Sequence, residues 1–366
     1  MKIIWDEYYK YDHHFPNLIP LLFGHNEVFG KQGIFMLYSK LKLIIFVLLL
    51  MITNASGETL KITFWNVENL FDLLDDPHTN DNEFAIDGKK NVTQEIYDLK
   101  LKNMAEVINA LDTDILGLCE IENRFVLKEL DSAVARDYKI IHYDSPDNRG
   151  IDVALLYDPK KITITHSEPV SVTLPTGRPT RDILYVKALF AQTDLHLFVN
   201  HWPSKYGGAE KSTPLRAAAG KTLRIEVESI LSQDLNAEIV IMGDLNDEPI
   251  DPSVTMHLGA TMELDQIGKN DQILWNVMKI WHRNSSGSTY KYGGNDMVYD
   301  HLILSTGLVD NIGLKLVKNS VGVFDGYGYR QHGGKYDGYP FRFWAGNRLL
   351  GGYSDHMPIY LKIESK

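Results

Sequence analysis

The sequence predicts one layered α/β domain, and three observations carry that expectation. Apolar strand-forming runs alternate with amphipathic helical stretches in both halves of the chain. No solenoid repeat or low-complexity linker interrupts that alternation, which favours one domain over two. The 366 residues are 44% hydrophobic and 23% charged, enough apolar material for a sizeable core.

The N-terminus has a different texture. Residues 1–35 are aromatic and patternless. Met36-Leu-Tyr-Ser-Lys-Leu-Lys42 is short and basic, residues 43–52 are ten uninterrupted apolar residues, and small residues follow to Gly57. This is the layout of a secretory signal peptide over 36–57. A span of the bilayer needs roughly 20 apolar residues, so no stable membrane span is expected after cleavage. On this reading translation starts at Met36, residues 1–35 are a mis-called extension, and the catalytic domain is 58–366. The expected destination is secreted or periplasmic. An uncleaved anchor or a buried N-terminal helix are the alternatives.

Strand and helix signals then follow in order. Residues 60–66 alternate and are rich in strand formers. Residues 71–91 are polar and read as a surface loop. Thr93 caps a helix to about Leu111, with Ile96, Leu99, Met104, Val107, Ile108 and Leu111 on one face. A buried strand over 114–119 ends at Glu120, and a helix covers 125–135. Residues 139–143 and 152–157 are strands joined by a polar turn. Residues 162–173 and 183–200 are strand-like, and a helix runs over 213–231. Residues 238–242 form a buried apolar strand, with Gly243 expected to end it and turn the chain. Another strand covers 299–305, and the last begins within 353–360.

Polar residues worth naming cluster at the ends of these strands: Asn66, Glu120, Asp152, His201, Asp244, Asn246, Asp300, Asp355 and His356. Each alone has an ordinary explanation. Asp-x-Asn is common turn chemistry, and a lone histidine is usually structural. Together they sit where ligands collect in layered α/β folds. Asp244 and Asn246 offer a charged acceptor and a donor–acceptor pair able to aim a water molecule. Asn66, Glu120 and Asp355 supply oxygen donors that suit Mg²⁺, with Mn²⁺ or Ca²⁺ as alternatives. His201 and His356 need carboxylate partners to act in catalysis, and Asp152 and Asp300 are the candidates. These are the parts for hydrolysing a phosphate ester. The net charge of −11 argues against a broad basic surface for a nucleic-acid backbone. The single cysteine, Cys119, excludes an intramolecular disulfide.

Thr63-Phe-Trp-Asn66, Cys119-Glu-Ile-Glu122, Asn200-His-Trp202, Gly243-Asp-Leu-Asn246, Tyr299-Asp300 and Ser354-Asp-His-Met-Pro358 occur in the order found in the endonuclease/exonuclease/phosphatase superfamily. The chain resembles that superfamily over about residues 60–364. The resemblance implies a four-layered α/β sandwich, two packed mixed β-sheets flanked by helices. It implies metal-site roles for Asn66, Glu120 and Asp355. Asp244, with Asn246 beside it, would position the attacking water, and Asp300 would orient His356. His201 matches the second histidine of the deoxyribonuclease branch, with Asp152 where that branch places the partner acid. Arg181 resembles a phosphate-contacting arginine, though Arg178 competes for the role.

The expected activity is a secreted metal-dependent phosphodiesterase, endonuclease-like, acting on a phosphate ester with nucleic acid among the candidates, and monomeric. A phosphatase or sphingomyelinase-like esterase is the alternative. A non-catalytic binding protein is the third and weakest reading. Residues 321–352 are dense in glycine and aromatics, interleaved with Arg330, Lys335, Arg342 and Arg348. Two uses are open: a long hairpin whose aromatics pack on the core, or a surface that stacks on substrate.

Overall fold

The computed structural model describes residues 57–267, 272–283, 287–310 and 312–366. The expected extension 1–35 and, apart from Gly57, the signal segment 36–57 lie outside these residues.

In chain order the elements are β1 (Thr59–Leu70), α1 (Gln94–Leu111), β2 (Ile115–Ile121), α2 (Arg124–Ala133), β3 (Lys139–His142), β4 (Asp152–Tyr157), β5 (Thr163–Val170), β6 (Ile183–Phe190) and β7 (Thr193–His201). Then come α3 (Ala209–Leu231), β8 (Glu238–Asp244), β9 (Ala260–Thr261), β10 (Leu274–Asn276), α4 (Lys279–Arg283), β11 (Tyr290–Tyr292), β12 (Asn295–Met297) and β13 (Asp300–Leu304). The chain closes with β14 (Leu314–Leu316), β15 (Gly322–Val323), β16 (Trp344–Ala345), β17 (Arg348–Leu349) and β18 (Ile359–Ser365). The strand-like stretch over 183–200 is a hairpin of β6 and β7. Ala191 and Gln192 turn it with φ of 47° and 67°, the positive pair that matches strand twist.

Two seven-stranded mixed sheets result. One runs β14-β18-β1-β2-β4-β3, with β15 also on β18; the other runs β5-β6-β7-β8-β13-β10-β9. Three apolar layers hold them. Between the sheets lie Leu60, Ile62 and Phe64 of β1, Leu195, Leu197 and Val199 of β7, Val240 and Met242 of β8, Leu302 and Leu304 of β13, and Ile359, Leu361 and Ile363 of β18. Outside the first sheet, Trp65 and Val67 meet Met104, Val107 and Ile108 of α1 and Val126 and Leu130 of α2. Outside the second, Phe198, Ile239 and Ile241 meet Leu223, Val227 and Leu231 of α3. The layers are helix, sheet, sheet, helix, and the expected four-layered sandwich is what the chain forms.

Strand alternation explains how the site arises. The inter-sheet row of β1 is 60, 62, 64, and its next member is Asn66. By the same rule β7 continues to His201, β8 to Asp244, and β13 begins at Asp300. At one end of the sandwich, four apolar rows turn polar together.

Gly243 does not turn the chain. It is inside β8, and a Cβ there would lie 2.5 Å from both the carbonyl oxygen and the Cβ of Asn200 on β7. The glycine is there for close strand packing.

Candidate active site

Asp244 is 2% exposed and forms the hub. Its Oδ2 accepts from Asn66 Nδ2 at 3.0 Å, a bond that crosses from one sheet to the other. Its Oδ1 accepts from the Asn246 backbone N–H at 2.9 Å. That second bond is the Asx turn read from the sequence, and Asn246 takes φ 51° to make it. The Asn246 amide donates to the Trp202 carbonyl at 3.1 Å, tying the β8 end to the β7 end. The turn and the site are therefore one structure.

His356 packs against the hub. Its Nδ1 lies 2.7 Å from Asp300 Oδ2, and its Nε2 lies 3.7 Å from Asp244 Oδ2. Tyr290 stacks on the ring at 4.6 Å between centroids. Burial disfavours the imidazolium, but Asp300 and Asp244 outweigh it and raise the His356 pKa well above its ordinary value. Burial, partly offset by His356, pushes Asp244 up to about 7.

Glu120 reaches the hub by breaking alternation. Ile115 and Cys119 of β2 face the inter-sheet core, so regular geometry would send Glu120 to the other face. A register shift between Cys119 and Ile121, with φ 63° at Glu120, marks the irregularity. Its Oε1 stands 3.4 Å from Asn66 Nδ2 and 3.8 Å from His201 Nε2.

The structure corrects three expectations. Asp152 does not partner His201. It continues the Ala154 and Leu156 row, which packs on the helix side, and its Oδ2 lies 3.0 Å from His142 Nε2. His201 Nε2 sits 3.8 Å from Asp244 Oδ2, and its buried Nδ1 has no hydrogen-bond partner among the described residues. Burial, with Arg181 nearby, holds the His201 pKa well below its ordinary value, so the ring is neutral.

Arg181 is not free for phosphate. It is 6% exposed and donates to the carbonyls of His201 (3.2 Å) and Trp202 (2.7 Å) and to Asp147 (3.0 Å). It supports the end of β7, which carries His201. Arg178, its competitor, is exposed.

Asn66 turns its amide nitrogen toward Glu120 and Asp244, because its Oδ1 accepts from the Glu68 N–H at 3.0 Å. It orients two carboxylates and presents no oxygen to a metal between them. Asp355 is held by Arg342 at 2.9 Å.

Sequence reading missed a second tier. Glu68 is 2% exposed and accepts from the N–H groups of Phe343 (2.6 Å) and Trp344 (3.0 Å) and from Arg342 Nε (3.3 Å). Buried Lys100 donates to the carbonyls of Val67 and Tyr353, the latter at 3.0 Å. Glu68 falls two residues beyond Asn66, which was the available signal. Phe343 and Trp344 are buried and pack on the domain, whereas Tyr327 and Tyr336 are 82% and 46% exposed.

The donor set fits a hard divalent cation. Glu120 and Asp244 both reach Asn66 Nδ2, and the buried Oδ1 of Asp300 has no hydrogen-bond partner among the described residues. Asp244, Asp300 and His356 also have metal-ligand spacing, though the short His356–Asp300 bond already occupies one nitrogen and one oxygen.

Buried carboxylates that could hold a metal, with a His–Asp pair, at one end of a four-layered sandwich, suit phosphoester chemistry. The chain belongs to the Endonuclease/Exonuclease/phosphatase family, whose model matches residues 61–365. That family comprises metal-dependent phosphoesterases. Solved structures share the fold at low identity. A humanised D. rerio TDP2 carrying 14 mutations is 15% identical, covers 84% of this chain and 99% of its own, and gives a TM-score of 0.53. The human Nocturnin catalytic domain with bound sulfate is 14% identical over 84% and 95% of the two chains, with a TM-score of 0.51. A Bacteroides thetaiotaomicron mannosyl-6-phosphatase, Bt3783, is 14% identical over 83% and 99%, with a TM-score of 0.52. No curated protein matches the chain.

Proposed function

We propose that this chain is a secreted or periplasmic, Mg²⁺-dependent phosphoric ester hydrolase that acts on a phosphodiester. The observation that carries the reading is the line Asp300–His356–Asp244, closed by Asn66 and Glu120 from the other sheet. Asp244 is the acceptor that aims the attacking water, with its second oxygen fixed by the Asn246 turn. His356, held cationic by Asp300, offers Nε2 to a phosphoryl oxygen and stabilises charge as it develops. His201, neutral, offers Nε2 beside Glu120 and Asp244. Glu120 and Asp355 are the expected holders of the metal. When bound, that metal neutralises phosphoryl charge and sharpens the electrophile.

A phosphomonoesterase is the second reading. Two observations favour it: His201 lacks the carboxylate partner the deoxyribonuclease comparison implied, and the net charge is −11. A panel of plasmid, bis-p-nitrophenyl phosphate, p-nitrophenyl phosphate and sphingomyelin with Mg²⁺, Mn²⁺ or Ca²⁺ separates the readings. Diester turnover above monoester turnover supports the proposal, and the reverse selects the second. A blank panel across all three metals moves the assignment to a binding protein. The secretory destination is tested by sequencing the native N-terminus. A start within residues 55–59 supports it, and an intact 1–35 ends it.

A further inference from the structure

The turn between β3 and β4 is held from several sides. Asp152, which does not partner His201, accepts from the Ser145 N–H at 2.8 Å through Oδ1. The Asn80 N–H donates to the Asn148 carbonyl at 2.7 Å, and the Gly150 N–H to the Asp147 carbonyl at 2.9 Å. Gly150 takes φ 67°, and a Cβ there would lie 3.0 Å from Thr79 Cγ2. Asp147, 8% exposed, pins the turn to the site. Its Oδ1 accepts from the Arg149 backbone N–H at 2.9 Å and from Arg149 Nε at 3.3 Å. Its Oδ2 accepts from Arg181 Nη1 at 3.0 Å, and Arg181 holds the carbonyls of His201 and Trp202. The turn is thereby tied to the end of β7 that carries His201.

This anchored turn presents the Arg149 guanidinium to solvent. The side chain is 50% exposed, and its Nη1 and Nη2 make no hydrogen bond to a described residue. Its positive charge reaches His201, where it adds to burial and Arg181 in keeping the ring neutral. Neighbouring cations are already committed. Arg181 is buried on its carbonyls and Asp147, and Lys100 is buried between two carbonyls. Lys205, over the Tyr299 ring, pairs with Asp247 at 3.1 Å and Asp251 at 3.4 Å. Arg342 spans Glu68 and Asp355.

A cluster of carboxylates repels an anionic ester, so a cation is needed to draw the ester in. A guanidinium with both Nη groups unengaged suits two oxygens of one phosphate, and a fixed backbone beneath it lowers the entropy lost on binding. Resting on the phosphoric ester reading above, we propose that Arg149 is the substrate-gripping residue on the His201 side of the site, donating Nη1 and Nη2 to non-bridging oxygens of the substrate phosphate. Arg181 then acts one step behind it, holding Asp147, which holds Arg149.

The test is calorimetric titration of the full chain with inorganic phosphate, at constant ionic strength and fixed Mg²⁺, on the wild type and on Arg149→Gln, Arg149→Lys and Arg178→Gln. The expected result is one saturable site per chain, weakened about tenfold or more in Arg149→Gln, the usual scale for a lost charge-assisted bond. Arg149→Lys keeps the charge without the fork and should lose less; it carries the test if Arg149→Gln does not fold. On bis-p-nitrophenyl phosphate, Arg149→Gln should raise KM with kcat nearly kept, which a merely structural role would not produce. Absence of saturable phosphate binding in the wild type, equal affinity in the wild type and both Arg149 variants, or a loss confined to Arg178→Gln overturns the proposal. Phosphate binding that depends on Arg149 in a protein that turns over no ester supports the grip and counts against the hydrolase reading instead.

Discussion

Glu120 concentrates the residue-scale consequences. It is the one carboxylate of the cluster delivered by a backbone irregularity, and its hydrogen bonding within the chain is weak. Asn66 stands off at 3.4 Å, whereas Asp300 and Asp355 each have a close charged partner. Its oxygens are the ones most available to a cation. Glu120→Ala is expected to remove most Mg²⁺ binding in calorimetry while the far-UV spectrum is kept; unchanged affinity would refute the assignment. His356→Ala removes the ring between Asp300 and Asp244 and should lower kcat on the order of 10²-fold, the scale of a lost acid–base group. Asp300→Asn keeps the packing but weakens the support for the cationic ring, so its loss should be similar in direction and smaller. Equal kcat in all three proteins would remove His356 from the chemistry.

At the scale of elements, the segment before β18 divides by depth. Phe343 and Trp344 are buried, and their backbone N–H groups are anchored on Glu68. Phe343→Ala should cost about 3 kcal/mol or more, read as a lowered melting temperature. Arg342 bridges Glu68 and Asp355, and its side chain is 38% exposed beside the cluster. Arg342→Ala should raise KM with kcat nearly kept if it grips substrate. A matched fall in kcat would instead mean that it positions Asp355. Most elements were legible because apolar alternation and helical periodicity were strong, as in α1 and β8. The rows ending in Asn66, His201, Asp244 and Asp300 were legible for the same reason. Glu120 was placed in the site as a strand-end oxygen donor, but its route there was invisible, because a bulge leaves no mark in alternation. Asp152 was paired with the wrong histidine because residue spacing cannot say which face of β4 meets which neighbour. Arg181 was misread because a buried guanidinium and a phosphate ligand look alike until the carbonyls around it are known.

At the scale of the whole molecule, buried acids set the response to pH. Burial pushes Glu122 and Glu238 each up to about 8, and Asp244 shifts the same way. A carboxyl whose pKa is raised by folding contributes stability that is complete below its unfolded value, near 4.5. That contribution is lost as pH rises through the folded value. His196, His201 and His301, lowered by burial, act the other way below about pH 6.5, so the melting temperature of the metal-free protein should fall between about pH 6.5 and pH 8. Lys100, lowered to about 8 by burial, acts above that window and in the opposite direction. Glu122→Gln and Glu238→Gln should each flatten the slope. A melting temperature independent of pH in the wild type would show that these acids are ionised in the fold without penalty.

The first and last strands bring Glu58 and Ser365 together. Glu58 and Ser365 exchange two hydrogen bonds of 2.9 Å, and Lys366 donates to Gly313 at 3.1 Å. From Thr59 to Asn66 is seven residue steps, roughly 23 Å of strand. A C-terminal tag fixed to a bead or sensor chip thus attaches at the blind end of the sandwich and leaves the catalytic end facing solution.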